Sequence, residues 1–439
     1  MLLRRYIGKQ LAAYYGQSAD SVVGGISEPL ALSSLWGKWH WLRLYQRLYY
    51  QSQGQWLTPV ELFQPWYSQC IANYIIETCD SEHRERDHLS SFKTTASIDI
   101  IELGGGRGTH ARHVMDHLHT TRPDLYHKVA SYRIIDASPS LHMLQQNNLR
   151  EQSSHHAEKY QFTRQDLLDV AERRMCDDWD DVSPSDRLTI VVALEVLDNL
   201  PHDKIRLRGK QIDQAIVRRK ATTTIGATSS NNLRMEEVFV PLDDPLIQRV
   251  LDVCPSFLQV PTRYTWIPTV FCGVLDHLHK IRPNLHVLLA DFDWLPGPDT
   301  QDRPSSQRAY GEPLVTNMND VDQPCYLSTA STIVQSSSTS SSSSSSSSTK
   351  SNNNKENLCD ILFPTDFDKL ADFVRAVVTP HNVEIQKQAD FLQTYGPDQV
   401  AATKSWLTGF SPMMGDFGNC TVLTTRHSSE RQHAAGYET

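Results

Sequence analysis

The residues best suited to chemistry are a knot of four glycines among five positions, Gly104, Gly105, Gly106 and Gly108, and four later carboxylates, Asp136, Asp166, Glu195 and Asp198. Glycine takes positive φ and lets a ligand reach the backbone with no Cβ in the way. The knot follows the apolar, β-branched run 98–103, which reads as a buried parallel strand. It precedes Ala111, Val114, Met115 and Leu118, whose spacing is helical. In open α/β sheets, ligands sit where strands end and helices begin. Spacing narrows the ligand. A dinucleotide fingerprint needs G-x-G-x-x-G, and Thr109 stands where its third glycine would fall. A phosphate loop needs a lysine after its last glycine, and none follows. An ordinary tight turn with surplus glycine is the plain alternative, but strand, turn and helix all agree with each other.

What remains is E-x-G-x-G-x-G over Glu102, Gly104, Gly106 and Gly108, the first motif of class I methyltransferases that use S-adenosylmethionine. That cofactor has three parts to hold. Backbone groups of 104–108 and the helix start can meet the methionine carboxylate. Asp136, at the end of a strand predicted at 132–136, can accept from the ribose diol; otherwise it is a helix cap before Pro139. Asp166, beyond a short strand near 160–162, is placed for the adenine amine and equally for an N-cap.

Glu195 ends the apolar run 188–194, beside the place where a sulfonium methyl would point. A carboxylate there can hold a cationic acceptor or take its proton, with Asp198 as a second acid of the loop. The alternative for Glu195 is a loop acid paired with an arginine. Methyl transfer needs alignment more than acid–base groups, so no catalytic triad is expected. Ser138-Pro139-Ser140 is a helix opening, since G-x-S-x-G is absent. His110, His113 and His117 share one helix face, but H-E-x-x-H is absent. They read as a solvent-facing patch, and no metal is expected.

These residues need elements to position them. Residues 1–95 read as helical, with a buried helix at 35–50 and another from Thr58 to about Thr78, where Thr58 caps, Pro59 opens and Glu61 completes the capping box. A polar loop is expected at 83–90. The α/β core runs over 96–296, with strands at 98–103, 132–136, 160–162, 188–194 and 286–290 and helices at 107–120, 245–253 and 269–281. Within it, 202–235 is basic and reads as a hairpin or mobile insertion outside the core. Residues 297–357, with an almost pure serine run at 336–348, read as a disordered insertion. Residues 358–425 complete the sheet with helices at 367–378 and 397–407 and a strand at 419–425, and 426–439 is a tail.

Composition bounds the function. The net charge of -9 argues against a nucleic-acid partner bound through phosphates. Eight cysteines never form C-x-x-C, which argues against zinc ribbons and dithiol redox motifs. No run of about 18 apolar residues exists, so no transmembrane helix is expected. The N-terminus carries Arg4, Arg5 and Lys9 and no acid before Asp20. It reads as a folded basic helix packing Leu2, Leu3, Tyr6, Ile7 and Leu11, the alternative being an amphipathic presequence.

Several blocks together resemble the MidA-like family, whose mitochondrial branch serves the assembly of NADH:ubiquinone oxidoreductase. They are Leu57-Thr-Pro-Val-Glu-Leu-Phe63, Glu102–Thr109, Ile135-Asp-Ala-Ser-Pro-Ser-Leu141 with Gln145, Glu195-Val-Leu-Asp-Asn-Leu-Pro201, and Phe391-Leu392, over roughly 1–425. The resemblance implies a seven-strand, Rossmann-like class I methyltransferase fold with helical additions. It implies a mitochondrial setting and arginine methylation on a protein substrate, a subunit of respiratory complex I. It implies a cofactor set of Glu102, Gly104, Gly106, Gly108, Thr109, Asp136, Ser138, Asp166 and Leu167, with Glu195 and Asp198 as catalytic acids. Two positions depart from the family: Leu194 replaces its usual Asn, and Gly105 replaces its usual Pro, which should loosen the loop. Three functions stay open: a protein arginine methyltransferase, a non-catalytic assembly factor on the same fold, and a methyltransferase for another acceptor. The sequence leaves the oligomeric state open.

Overall fold

A computed structural model describes residues 1–16, 23–52, 55–89, 97–174, 187–221, 233–259, 264–296, 311–316, 327, 359–378 and 382–426. The chain opens with α1 (Leu3–Tyr15), α2 (Lys38–Gln51), α3 (Pro59–Leu62) and α4 (Trp66–Leu89). The alternating core follows as β1 (Ile98–Leu103), α5 (Thr109–Thr121), α6 (Pro123–Lys128), β2 (Val129–Asp136), α7 (Pro139–Gln152), β3 (Tyr160–Arg164), α8 (Leu167–Ala171) and β4 (Leu188–Leu194). Then come β5 (Asp203–Arg208), β6 (Gln211–Ala221), β7 (Leu233–Pro241), α9 (Pro245–Val253), β8 (Tyr264–Ile267), α10 (Thr269–Ile281) and β9 (Leu285–Phe292). The remainder is β10 (Leu314–Thr316), β11 (Asp360–Leu362), α11 (Phe367–Val377), β12 (Asn382–Lys387), α12 (Gln388–Tyr395), two short helices (Pro397–Ala402 and Pro412–Gly415) and β13 (Cys420–Arg426).

Seven strands form the main sheet in the order β12-β13-β9-β4-β1-β2-β3, with β13 antiparallel to both neighbours. This is the seven-strand class I arrangement expected, and the order reverses between β1 and β4. Strand side chains alternate between two apolar layers. Ile98, Ile100, Ile190, Val192 and Leu288 face one, with α4, α5 and α12. Ile101, Leu103, Val191, Ala193 and Leu289 face the other, with α9, α10 and α11.

Several expectations change. The helix expected over 58–78 is two helices parted at Phe63–Pro65, and the second continues to Leu89 through the expected loop. The helix expected to be buried at 35–50 is α2, of which only Trp41 is fully buried. The described part of 202–235 is not outside a core: β5 and β6 pair as a hairpin, and β7-β6-β5-β8 is an antiparallel sheet. Leu3, Tyr6 and Ile7 of α1 pack there with Ala215, Val217, Trp266, Ile361 and Phe363. Part of 297–357 is also structured, since β10 pairs with β11. The serine run, residues 175–186 and the tail from 427 lie outside the described residues. The helix expected at 397–407 ends at Ala402. The N-terminus is the folded helix of the sequence reading.

Arg4 fastens α1 in place. It is 1% exposed and donates to Glu172 Oε1 at 2.8 Å, Asp203 Oδ2 at 2.8 Å and Asp244 Oδ2 at 2.8 Å. Burial works against its charge, and Asp203 and Asp244 more than restore it, so its pKa stays above the ordinary value.

Candidate functional site

The carboxyl ends of β1, β2 and β4 open into a cleft of about 820 Å³. That volume lies in the upper part of the range for small-molecule sites. The glycine turn forms its centre. Gly104 N donates to Ile135 O at 2.8 Å, and Gly108 N to Gly105 O at 2.8 Å, which closes the turn. Gly106 has φ +52° and nothing within 4 Å of where a Cβ would stand, so its missing side chain leaves open space beside the cleft. Gly108, at φ +83°, starts α5 and backs onto Leu149 instead. It serves the turn and the packing of α7, and lines neither cavity described here. At Gly105 a Cβ would meet Ile134 Cγ2 at 2.4 Å, so Ile134 fills that space and the loop is packed rather than loosened.

One end of the cleft is built from β2, α7 and α8. Asp136 ends β2; its Oδ1 accepts from Ser138 N at 2.9 Å and its Oδ2 from Gln145 Nε2 at 3.1 Å. Gln145 Nε2 also donates to Gly106 O at 3.0 Å, tying the acid to the glycine turn. Burial pushes Asp136 up to about 6. Ser138 caps α7, accepting from Leu141 N, and donates to Tyr15 O at 3.1 Å. Asp166 caps α8 through Leu168 N at 2.8 Å and still lines the cleft with Leu167. Burial raises its pKa.

The other end is acidic at its floor. Glu195 follows β4 with φ +53°, and its backbone N donates to Ala290 O at 2.8 Å. Among the described residues its Oε1 is buried with no hydrogen-bond partner, as is Asp198 Oδ1. Among the described residues no arginine pairs with Glu195, unlike the paired loop acid that the sequence offered as the alternative. Burial, then Asp291, holds both carboxyls well above the ordinary range. Asp291 fixes the loop, its Oδ2 accepting from Val196, Leu197 and Asp198 N at 3.1, 2.7 and 3.2 Å. Asp360 completes the floor, accepting from Tyr15 OH at 2.9 Å and Asn199 Nδ2 at 3.3 Å. Tyr45 and Tyr49 of α2 wall this end, their ring centroids 4.7 Å apart.

The cleft therefore gathers Gly104, Gly106, Asp136, Ser138, Asp166, Leu167, Glu195 and Asp198. Glu102 and Thr109 instead line a chamber of about 50 Å³ behind the turn, shared with Glu195. Glu102 accepts from Tyr132 OH at 2.9 Å, and burial pushes it up to about 8. The histidines are not a solvent-facing patch. They meet α4 and the turn before it: His110 Nδ1 with Ser68 Oγ at 3.0 Å, His113 with Gln64, and His117 with Asn73 Oδ1 at 2.7 Å. Burial pushes His110 down to about 3. Sequence reasoning missed Tyr15, Tyr45, Asp291 and Asp360. Asp291 alone had a local signal, as the acid ending the apolar run 285–290.

Comparison with known proteins fits this geometry. No curated protein matches the chain. A COG1565 superfamily member from Burkholderia thailandensis, bound to S-adenosyl-homocysteine, has a similar fold, with TM-score 0.55 and 14% identity, covering 97% of this chain and 88% of that one. A native structure of a COG1565 superfamily protein from the same organism gives TM-score 0.53 and 14% identity, covering 97% and 87%. The family model described as "Putative S-adenosyl-L-methionine-dependent methyltransferase" matches residues 70–383, well over half of the chain. The chain belongs to that family of S-adenosylmethionine-dependent methyltransferases, with which its MidA-like resemblance agrees.

Proposed function

We propose that this protein methylates arginine on a protein substrate, and that the work belongs to the assembly of mitochondrial respiratory complex I. The buried, unpartnered carboxylate oxygens of Glu195 and Asp198 on the cleft floor carry the acceptor class. Buried charges are kept in folded proteins when they meet a partner, and a planar guanidinium offers paired donors to carboxylates. The mitochondrial setting and the complex I subunit rest on the family resemblance alone.

The residues present fit the cofactor. Gly106 leaves room for its approach, and Asp136 and Asp166 stand at the ends of β2 and β3 as acceptors for ribose and adenine. Bound there, S-adenosylmethionine supplies an electrophilic methyl carbon. The chain's own residues hold the acceptor. Glu195 Oε1 and Asp198 Oδ1 accept N–H groups of the guanidinium, and the Tyr45 ring offers a face for the cation. Both acids have raised pKa values, so acceptor binding releases protons and should tighten as pH rises.

Glu195→Gln tests the assignment. It keeps the shape and removes the charge. Cofactor affinity should stay nearly constant while turnover falls by roughly 100-fold, the scale of a positioned acid–base group. Normal turnover per folded molecule would remove Glu195 from the reaction. One observation favours a second reading, that of a cofactor-binding assembly factor without transfer activity. Leu194 puts an apolar side chain beside Glu195, where the family usually has Asn. Methyl transfer to matrix protein extract, read by mass spectrometry, separates the two.

A further inference from the structure

The helix that walls the acidic floor has a second, exposed face. Tyr45 and Tyr49 of α2 point into the cleft, while Trp39 is 84% exposed and Arg43, Arg47 and Tyr50 are exposed beside it. The loop 404–410 lies against the segment leading into α2. Trp406 N donates to Ser33 O at 3.0 Å, and Ser405 Oγ to Leu35 O at 2.6 Å. Its tip carries Trp406, 70% exposed, and Leu407. Of the eleven large apolar side chains exposed among the described residues, six fall on this rim: Trp36, Trp39, Leu42, Tyr50, Trp406 and Leu407. Scattered exposed apolar residues are ordinary, whereas a concentration beside a cleft marks a binding surface.

Charge says what kind of surface. The chain has net charge -9, yet 29–60 contains Lys38, Arg43 and Arg47 and no acid, and 399–415 contains Lys404 and no acid. Arg43, Arg47 and Lys404 make no ion pair among the described residues. The rim is thus cationic and aromatic on a protein of net negative charge, and it adjoins a floor that is acidic.

We infer that the rim of α2 and the 404–410 loop docks the acceptor polypeptide through acidic and apolar residues flanking the arginine that enters the cleft. This rests on the cationic-acceptor reading of the floor. Opposite potentials at floor and rim select in both directions: acidic flanks are attracted, and arginine- or lysine-rich flanks are repelled. The 14 residues of α2 span about 21 Å. An extended chain covers that in about six residues, so the acids that matter lie within about six positions of the arginine.

Fluorescence anisotropy with labelled peptides, S-adenosylhomocysteine present, tests this. The peptides carry a central arginine with Asp, Glu and Leu flanks, with Ser and Gly flanks, or with Lys flanks; a fourth has citrulline at the centre and acidic flanks. The acidic-flank arginine peptide should bind at least about tenfold tighter than the Ser/Gly peptide, and the Lys-flank peptide weakest, with the gap shrinking at high salt. The double variant Arg43→Glu/Arg47→Glu should lose about tenfold for the acidic-flank peptide and keep its affinity for the cofactor. Equal binding of acidic and Ser/Gly flanks overturns the rim proposal, whatever citrulline does. Equal binding of arginine and citrulline overturns the cation reading of the floor and leaves the rim standing. Trp39-dependent sedimentation with three-to-one phosphatidylcholine and phosphatidylglycerol vesicles, with no flank preference among peptides, would assign the rim to a lipid surface instead.

Discussion

Arg4→Met removes the cation that fastens α1 and leaves a side chain of similar reach. Three acids lose a partner unequally. Glu172 keeps Arg5 and Arg174, and Asp244 keeps the backbone N–H groups of Leu246 and Ile247. Among the described residues Asp203 keeps only the Thr269 hydroxyl on Oδ2, and its Oδ1 already has no partner. Breaking one side of a buried ion pair costs about 3–5 kcal/mol. The partial compensation places this variant near the lower end, at about 3 kcal/mol. With an unfolding entropy of about 2.1 cal/mol/K per residue, a chain of 439 residues loses roughly 3 °C in melting temperature.

The sign of the pH dependence follows from the same acids. Arg4 lowers Asp244, against its burial, so Asp244 contributes stability above its ordinary range that is lost as pH falls. Burial raises Asp203, whose contribution is complete below the ordinary value and is lost as pH rises. Without Arg4 both carboxyls move up, so the deficit should be largest at pH 7 and shrink towards pH 4. Thermal melts across that range, followed by circular dichroism, read it directly. Cofactor affinity should also weaken, since Gly8, Leu11 and Tyr15 of α1 line the cleft. A deficit below about 1 kcal/mol at pH 7, with no pH trend, would show that apolar packing alone holds α1.

Other perturbations are simpler. Gly106→Val puts a branched side chain at φ +52° into the open space of the turn, and calorimetry should find cofactor binding lost with the fold retained. Gln145→Ala removes two hydrogen bonds linking Asp136 to the glycine turn. At about 1 kcal/mol each, affinity should fall roughly tenfold or more by the same measurement. Glu102 is pushed up to about 8, so its contribution to stability is complete below the ordinary glutamate range and declines as pH rises through 8. Melting curves of Glu102→Gln should therefore lose less stability between pH 5 and 8 than those of the parent.

The part of the site legible in the sequence was the part built locally. A strand that ends in glycine and a strand that ends in an acid each announce the same sheet edge, so Gly106, Asp136 and Glu195 could be placed together before their contacts were known. Tyr15, Tyr45 and Asp360 reach the cleft from remote segments, and no local pattern says which remote tyrosine will wall a pocket. The small sheet was readable in principle. Lys204-Ile-Arg-Leu-Arg208 alternates with period two, but its many cations masked the strand signal. The histidines of α5 misled because a polar stripe on a helix looks solvated until the helix packed over it is known. Here Ser68 and Asn73 on α4, with Gln64 before it, supply hydrogen-bonding partners.

The position of β13 has a consequence for synthesis. It lies between β9 and β12, so one edge of β9 has no partner until Cys420–Arg426 has left the ribosome. At about 5–20 residues per second, the 128 positions from Asp293 to Thr421 take on the order of ten seconds to translate. During that interval a strand whose Leu288 and Leu289 end up buried on opposite faces presents an open, apolar edge. Such edges pair with other chains. A nascent chain stalled before residue 420 should therefore engage chaperones or aggregate, while one released after 426 should not.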